Sequence, residues 1–260
     1  EIDKLKINKI DTVIHLASIA NDPMAELDKN LSWETSALNT FKLLDFMKKI
    51  KAKKIIYASS GSVYGISNKP NVTEKTKLKP ISLYNKVKMI TERVLISFNK
   101  EFEIFIIRPA TVCGFSPRMR LDVTVNALTF SALNTKKIKV FGGKQVRPNI
   151  HIDDMCSLYK FFLTIDKKYA GIYNAGFENK SILSIAEIVR NKISSKIKVY
   201  KDKSDPRSYR LNSSKLIKIG FKPKKKIEDA IDELKENYKN KKLLNKSNFH
   251  SLKWLKKILS

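Results

Sequence analysis

Residues 54–65 read KIIYASSGSVYG, and the fold is decided by how this run is taken. Lys54 to Ser59 is an apolar stretch of strand length, and a cluster of small hydroxyl residues and glycine follows it directly. A buried strand that ends in such a turn is the building unit of a parallel sheet, where crossover helices cover both faces. Working outward, Asp11–Leu16 (DTVIHL) and Glu103–Arg108 (EIFIIR) read as two more buried strands. Between them lie two helical patterns. One covers 34–49, with Ala37, Leu38, Phe41, Leu44 and Met47 on one face. The other covers 84–98, with Val87, Ile90, Val94 and Phe98 at helical spacing. Strand and helix alternate to about residue 175, which predicts an α/β fold with a doubly wound parallel sheet.

Beyond the third strand the rhythm changes. Arg118–Asn134 reads as helical, 139–143 and 149–152 as short extended pieces, Asp153–Leu163 as helical, and Gly171–Ala175 (GIYNA) as a strand. Helices or strands follow at 184–192, 196–200, 213–219 and 227–238. Lys222–Lys226 and the final lysine-rich helix read as solvated surface. Asp153 and Asp154 are placed to cap the amides that open their helix. His15 and His151 lie in strand-like runs and read as packed residues rather than ligands.

Composition narrows the classes. With 260 residues and 42% hydrophobic content, the chain can bury a sizeable core. No apolar run reaches the roughly 20 residues of a membrane span. Cys113 and Cys156 are far apart and the three histidines are scattered, so no metal or disulfide pattern arises and a cytoplasmic setting is the default. The net charge of +27 invites a nucleic-acid reading. Arg, the type suited to reading bases and clamping phosphates, supplies only 8 of the 52 basic residues. The lysines spread over nearly every helix, so solvated faces account for them better than a nucleic-acid site does.

Chemistry concentrates at Tyr84-Asn85-Lys86-Val87-Lys88. A spacing of four puts Tyr84 and Lys88 on one helix face. A lysine cation beside a phenol favours the phenolate, which can take a proton from a substrate hydroxyl. Alone the pair is a weak signal, since a core tyrosine and a surface lysine would give the same spacing. Ser60, at the carboxyl end of a strand where open α/β sheets place their ligands, could bond the reacting hydroxyl together with the tyrosine.

Seven landmarks in this order resemble the extended short-chain dehydrogenase/reductase family, specifically its nucleotide-sugar epimerases and dehydratases. They are DTVIHLAS (11–18), SSGSVYG (59–65), YNKVK (84–88), IRPATVCG (107–114), GGKQVRPNIHIDD (142–154), YNAG (173–176) and DPRSYRLNSSKL (205–216). The resemblance implies a catalytic set of Ser60, Tyr84 and Lys88, with NAD as cofactor and NADP left open. It implies cofactor contacts at Ala17, Ser18, Ser59, Tyr84, Lys88, Arg108 and Pro109. Substrate contacts are implied at Ser62, Thr111, Asn126, Arg147 and Arg207, the two arginines closing on the diphosphate of a nucleotide-linked sugar.

Three departures bear on specificity. Gly61 and Ser62 stand where 4,6-dehydratases carry an Asp-Glu pair, which favours epimerisation or carbonyl reduction. Ser36 and Thr111 stand where many members carry asparagines, one facing the cofactor and one the substrate.

The resemblance further implies a Rossmann-like domain over 1–110 with 148–176, and a smaller sugar-nucleotide domain over 111–147 with 177–260. The eight glycines form no phosphate-binding run, and the first strand reads like the fourth of such a sheet. The family's opening strands and glycine-rich turn are therefore expected to lie outside this chain, which alone is expected to be poorly stable or inactive. A homodimer is expected through helices 34–49 and 84–98. The reading is an NAD-dependent nucleotide-sugar epimerase. An NAD(P)H-dependent reductase or dehydratase is one alternative, and a non-catalytic nucleotide- or RNA-binding protein the other.

Overall fold

The computed structural model describes residues 6–7, 9–67, 69–201 and 208–259. The chain opens with β1 (Thr12–His15), α1 (Asp22–Ala25), α2 (Lys29–Trp33), a π-helical segment (Glu34–Leu38), α3 (Asn39–Lys49) and β2 (Lys54–Ala58). Then come α4 (Leu83–Ser97), β3 (Glu103–Pro109), β4 (Thr111–Cys113), α5 (Thr124–Thr135), β5 (Lys137–Phe141), β6 (Val146–His151), α6 (Ile152–Thr164) and β7 (Gly171–Ala175). The rest is β8 (Glu178–Ser181), α7 (Ile182–Lys192), β9 (Lys196–Tyr200), α8 (Ser214–Lys218), α9 (Ile227–Lys239) and α10 (Ser251–Leu259).

The main sheet is parallel, in the order β1-β2-β3-β7. Alternation along its strands sends side chains to two separate cores. Ile55, Tyr57, Ile104 and Ile106 pack with Leu44 and Met47 of α3 and Leu95 of α4. Ile56, Phe105, Ile107 and Tyr173 pack on the other face with Leu158 and Phe162 of α6. Helices therefore cover both faces, which is the α/β, doubly wound arrangement read from the sequence. Truncating one of these fully buried side chains, as in Ile56→Ala, is expected to cost about 2–5 kcal/mol. Lys54 ties the sheet to α6, its ammonium donating to the carbonyls of Phe162, Leu163 and Ile165 at 3.3, 3.2 and 2.9 Å. A cation there complements the negative end of the helix dipole.

Two smaller sheets lie beside this one. β6 pairs in parallel with β4 and antiparallel with β8, and β5 pairs in parallel with β9. Neither β4 nor β8 was read as a strand.

Several local expectations are corrected. The helix expected over 34–49 is reached through α2 and the π-helical turn, which shifts the inward face. Leu38 and Phe41 are 57% and 43% exposed, while Ser36 and Thr40 point inward. The hydroxyls are at home there, because Thr40 bonds both His15 and the Ser36 carbonyl. Residues 118–123 are not helical. Met119 and Leu121 enter a core with Leu243 and Phe249, and the Leu121 amide bonds the Phe249 carbonyl, so α5 starts only at Thr124. The cap of α6 is His151, whose Nδ1 accepts from the Asp153 amide, whereas Asp154 accepts from the amides of Lys224 and Lys225. No helix among the described residues is long and apolar enough to cross a membrane.

Candidate active site

At the carboxyl ends of β2 and β3 the chain leaves a cleft of about 570 Å³, lined by Ser59, Ser60, Ser62, Tyr84, Pro109, Thr111 and Arg147 among others. Its position follows from the topology, since parallel strands all release their loops at one edge. Ser82 caps α4 by accepting from the Asn85 amide at 3.3 Å, and its own hydroxyl donates to Asp22. That start sets the phase of α4, so Tyr84 faces the cleft half-buried and Lys88 turns into the protein at 3% exposure. The Lys88 Nζ donates to the Ala58 carbonyl at 2.7 Å and lies 4.9 Å from the Tyr57 ring centre and 5.8 Å from that of Tyr84. Burial pushes its pKa down to about 7, with Glu92 opposing the fall. Burial and the nearby Lys88 charge likewise hold His15 down at about 4, so its ring is neutral.

Ser60 sits in a directed hydrogen-bond chain. The Ser62 hydroxyl donates to Asn85 Oδ1 at 2.5 Å, so in its 2.7 Å contact with Ser60 it can only accept. Ser60 therefore gives its proton to Ser62, while its oxygen accepts the Ser62 amide at 3.2 Å. A remaining lone pair of Ser60 is left for the cleft, and its hydroxyl must rotate to donate to a ligand.

Other expected residues lie elsewhere. Arg108 does not line the cleft. It pairs with Glu92 through Nε at 2.9 Å and Nη2 at 2.5 Å, and donates to the Tyr64 hydroxyl at 2.7 Å. Burial pulls against its charge, yet the Glu92 carboxylate and the Tyr64 phenol hold its pKa above the ordinary value. Ser59 touches the cleft but gives its hydroxyl to Glu92. Asn126 is 2% exposed, and its amide is spent on the Gly114 backbone and the Arg120 carbonyl. Ala17 is exposed and Ser18 bonds Ser36 at 3.0 Å, both in the turn after β1. Arg207 lies outside the described residues.

The cleft also has walls that the reading missed. Arg120 and Asp122 line it, joined Nε to Oδ1 at 2.8 Å, and the other Asp122 oxygen accepts the Ser251 amide at 3.2 Å. Tyr209 lines it from within the landmark 205–216. α10 is more than solvated surface, since Leu252 faces the cleft and Leu255 is buried. The only signal for Arg120 was the scarcity of arginine, and a helical reading of its segment hid it.

An open parallel sheet with a cleft at its carboxyl edge places the chain among the α/β proteins that bind their ligands at that edge. The family model described as the NAD dependent epimerase/dehydratase family matches residues 2–176, and the chain belongs to that family. It is 29% identical over 196 residues to dTDP-D-glucose 4,6-dehydratase of Dictyostelium discoideum, covering 70% of this chain and 45% of that one. It is 28% identical over 222 residues to the probable UDP-arabinose 4-epimerase 3 of Arabidopsis thaliana, covering 76% and 54%. The chain thus spans about half the length of these two curated relatives. The solved UDP-glucuronic acid 4-epimerase from Bacillus cereus, in complex with UDP-glucuronic acid and NAD, matches with a TM-score of 0.79 at 27% identity, covering 92% of this chain and 80% of that one.

Proposed function

We propose that this chain carries the catalytic residues of an NAD-dependent nucleotide-sugar epimerase. One observation carries the reading: Ser60, Tyr84 and Arg147 line a single cleft, with the Lys88 ammonium 5.8 Å from the Tyr84 ring. Tyr84 takes the proton of a sugar hydroxyl as phenolate, a state that the Lys88 charge favours. Ser60, after rotating its hydroxyl, steadies the oxygen as charge develops on it. Arg147, 9% exposed at the cleft wall, holds the diphosphate of the nucleotide. Residues 111–147 and 177–260 supply the substrate side.

The residues present fit the nicotinamide end of a dinucleotide. The turn holding Ala17 and Ser18 is open at the carboxyl end of β1, and Ser59 and Lys88 lie at and behind the floor of the cleft. NAD, when bound, supplies the acceptor for hydride from the sugar carbon and returns it. UDP-glucuronic acid and NAD, bound by the Bacillus cereus epimerase, are the first ligands to try.

Epimerisation is favoured over dehydration because, among the described residues, the cleft offers no idle carboxylate pair. The acidic side chains described there are Asp22, which accepts from Ser82, and Asp122, which holds Arg120 and the Ser251 amide. A homodimer through the α3–α4 face is supported by apolar side chains open to solvent there, Leu38, Phe41 and Ile96.

The test is Tyr84→Phe, assayed for interconversion of UDP-sugars and for UDP-sugar binding. Turnover is expected to fall by about 10²–10⁴-fold with binding retained. Undiminished turnover would refute the assignment. Net oxidation of reduced nicotinamide would move the reaction to a reductase.

A further inference from the structure

The β5–β9 ribbon presents an outward face that the proposed reaction does not use. Its inner side chains, Ile138, Val140 and Ile197, pack into the core with α5 and α7. The register sets Lys137 opposite Lys196, Lys139 opposite Lys198, and Phe141 opposite Tyr200. The four lysines are exposed, and the two rings stack at 5.3 Å with 27° between their planes, Phe141 being 45% exposed. Like charges directly opposite one another cost a sheet stability. No ion pair among the described residues offsets them, and neither strand carries an acidic residue. On α7 beneath, Lys192 does pair with an acid, Asp232. Among the described residues only Lys198 has another partner, the Tyr200 ring at 5.1 Å.

We propose that this face binds single-stranded nucleic acid. Alternate residues on a strand stand roughly 6.6 Å apart and neighbouring strands roughly 4.8 Å, so the lysines form a compact grid of positive charge ending in an aromatic platform. The grid neutralises backbone phosphates, and the exposed ring of Phe141 takes a base by stacking, which every base permits. A lipid surface would call for apolar side chains spread through the patch. Here they are confined to its end, which favours a ligand with a separate charged backbone and flat rings.

The experiment is fluorescence anisotropy of the full chain with a labelled oligo(dT) over a salt series. A log–log slope of about −3 is expected, from about −0.7 for each of four lysines. Replacing Lys137, Lys139, Lys196 and Lys198 together by Gln should bring the slope close to zero. Replacing exposed Lys51, Lys100, Lys160 and Lys167, which changes net charge equally, should leave it near −3. Phe141→Ala should weaken oligo(dT) binding roughly tenfold and leave heparin, which has no bases, unaffected. Equal losses in the two quadruple variants would overturn the proposal in favour of bulk charge. So would absence of binding at low salt, binding of anionic vesicles but not oligo(dT), or indifference of oligo(dT) to Phe141→Ala. The side chains are exposed and the opposed lysines cost the sheet stability, so an unfolding midpoint no lower than the parent's is the control for folding.

Discussion

Lys88→Met exposes the electrostatic cost built into the cleft. Burial lowers the Lys88 pKa from 10.5 to about 7 in the folded protein, with the Glu92 carboxylate partly opposing. The unfolded chain therefore binds more protons than the folded one between about pH 7 and pH 10.5. Stability from this group rises with pH across that window, and the cost of its charge is present in full below pH 7. A shift of about 3.5 units corresponds to about 5 kcal/mol. Met keeps the apolar stem but loses the 2.7 Å bond to the Ala58 carbonyl, which takes back about 1–3 kcal/mol. At pH 6 the variant should be more stable than the parent by about 2–4 kcal/mol, or roughly 4–8 °C in Tm. The advantage should shrink by about 1.4 kcal/mol per pH unit above 7 and be nearly gone by about pH 9. Urea unfolding of both proteins at pH 6, 7.5 and 9 measures this, and taking the difference cancels the titrating groups that do not feel Lys88. A difference that does not vary with pH would refute the reasoning, as would a variant that gains ground as the pH rises. If the proposed mechanism holds, the stabilised variant is also the inactive one.

His15, held neutral at about 4 against an ordinary 6.5, should cost about 3 kcal/mol of stability as pH falls from 6.5 to 4; His15→Gln should flatten that part of the acid limb. Glu92→Gln strands the Arg108 charge at 3% exposure and should destabilise by about 3–5 kcal/mol in urea unfolding. Arg147→Gln should weaken UDP-sugar binding by roughly 10–100-fold in calorimetry, the worth of a charge-assisted bond.

The sheet was legible because parallel strands covered on both faces read as unbroken apolar runs, as in Ile55–Tyr57 and Ile104–Ile107. What escaped the reading was structure whose cause is not periodic. β8 is ENKS, four residues with no apolar alternation, and its strand character comes only from pairing with β6. The π-helical turn is invisible in a 3.6-residue pattern, so Leu38 and Phe41 looked inward although the shifted register turns them out. Tyr84 and Lys88 were legible from a spacing that any helix converts into a shared face. Arg108 and Asn126 were not, because a sequence shows that a polar group exists and not where its partner is. The partners proved to be Glu92 and the Gly114 and Arg120 backbone.

Ser59, at the cleft floor, and Arg108, behind it, belong to one buried network that braces that floor. Ser59 at the end of β2 donates to Glu92 on α4, and Glu92 holds Arg108 on β3. Arg108 donates to Tyr64, and Tyr64 donates at 2.7 Å to Asn174 on β7. The Asn174 amide then bonds Glu74 at 2.8 Å. This chain of buried partners crosses three neighbouring strands beneath their carboxyl ends, where the ladder stops and the loops begin. A buried network with its members satisfied fixes one arrangement and penalises others, because each broken link leaves a polar group without water. Ser59 and Arg108 are therefore expected to act on a ligand through the backbone they immobilise, which carries Ser60 and Pro109 into the cleft wall. On that argument Ser59→Ala, whose hydroxyl is given to Glu92 and not to the cleft, should lower stability and loosen Ser60, so activity lost in it should return with a stabilising background, whereas activity lost in Ser60→Ala should not.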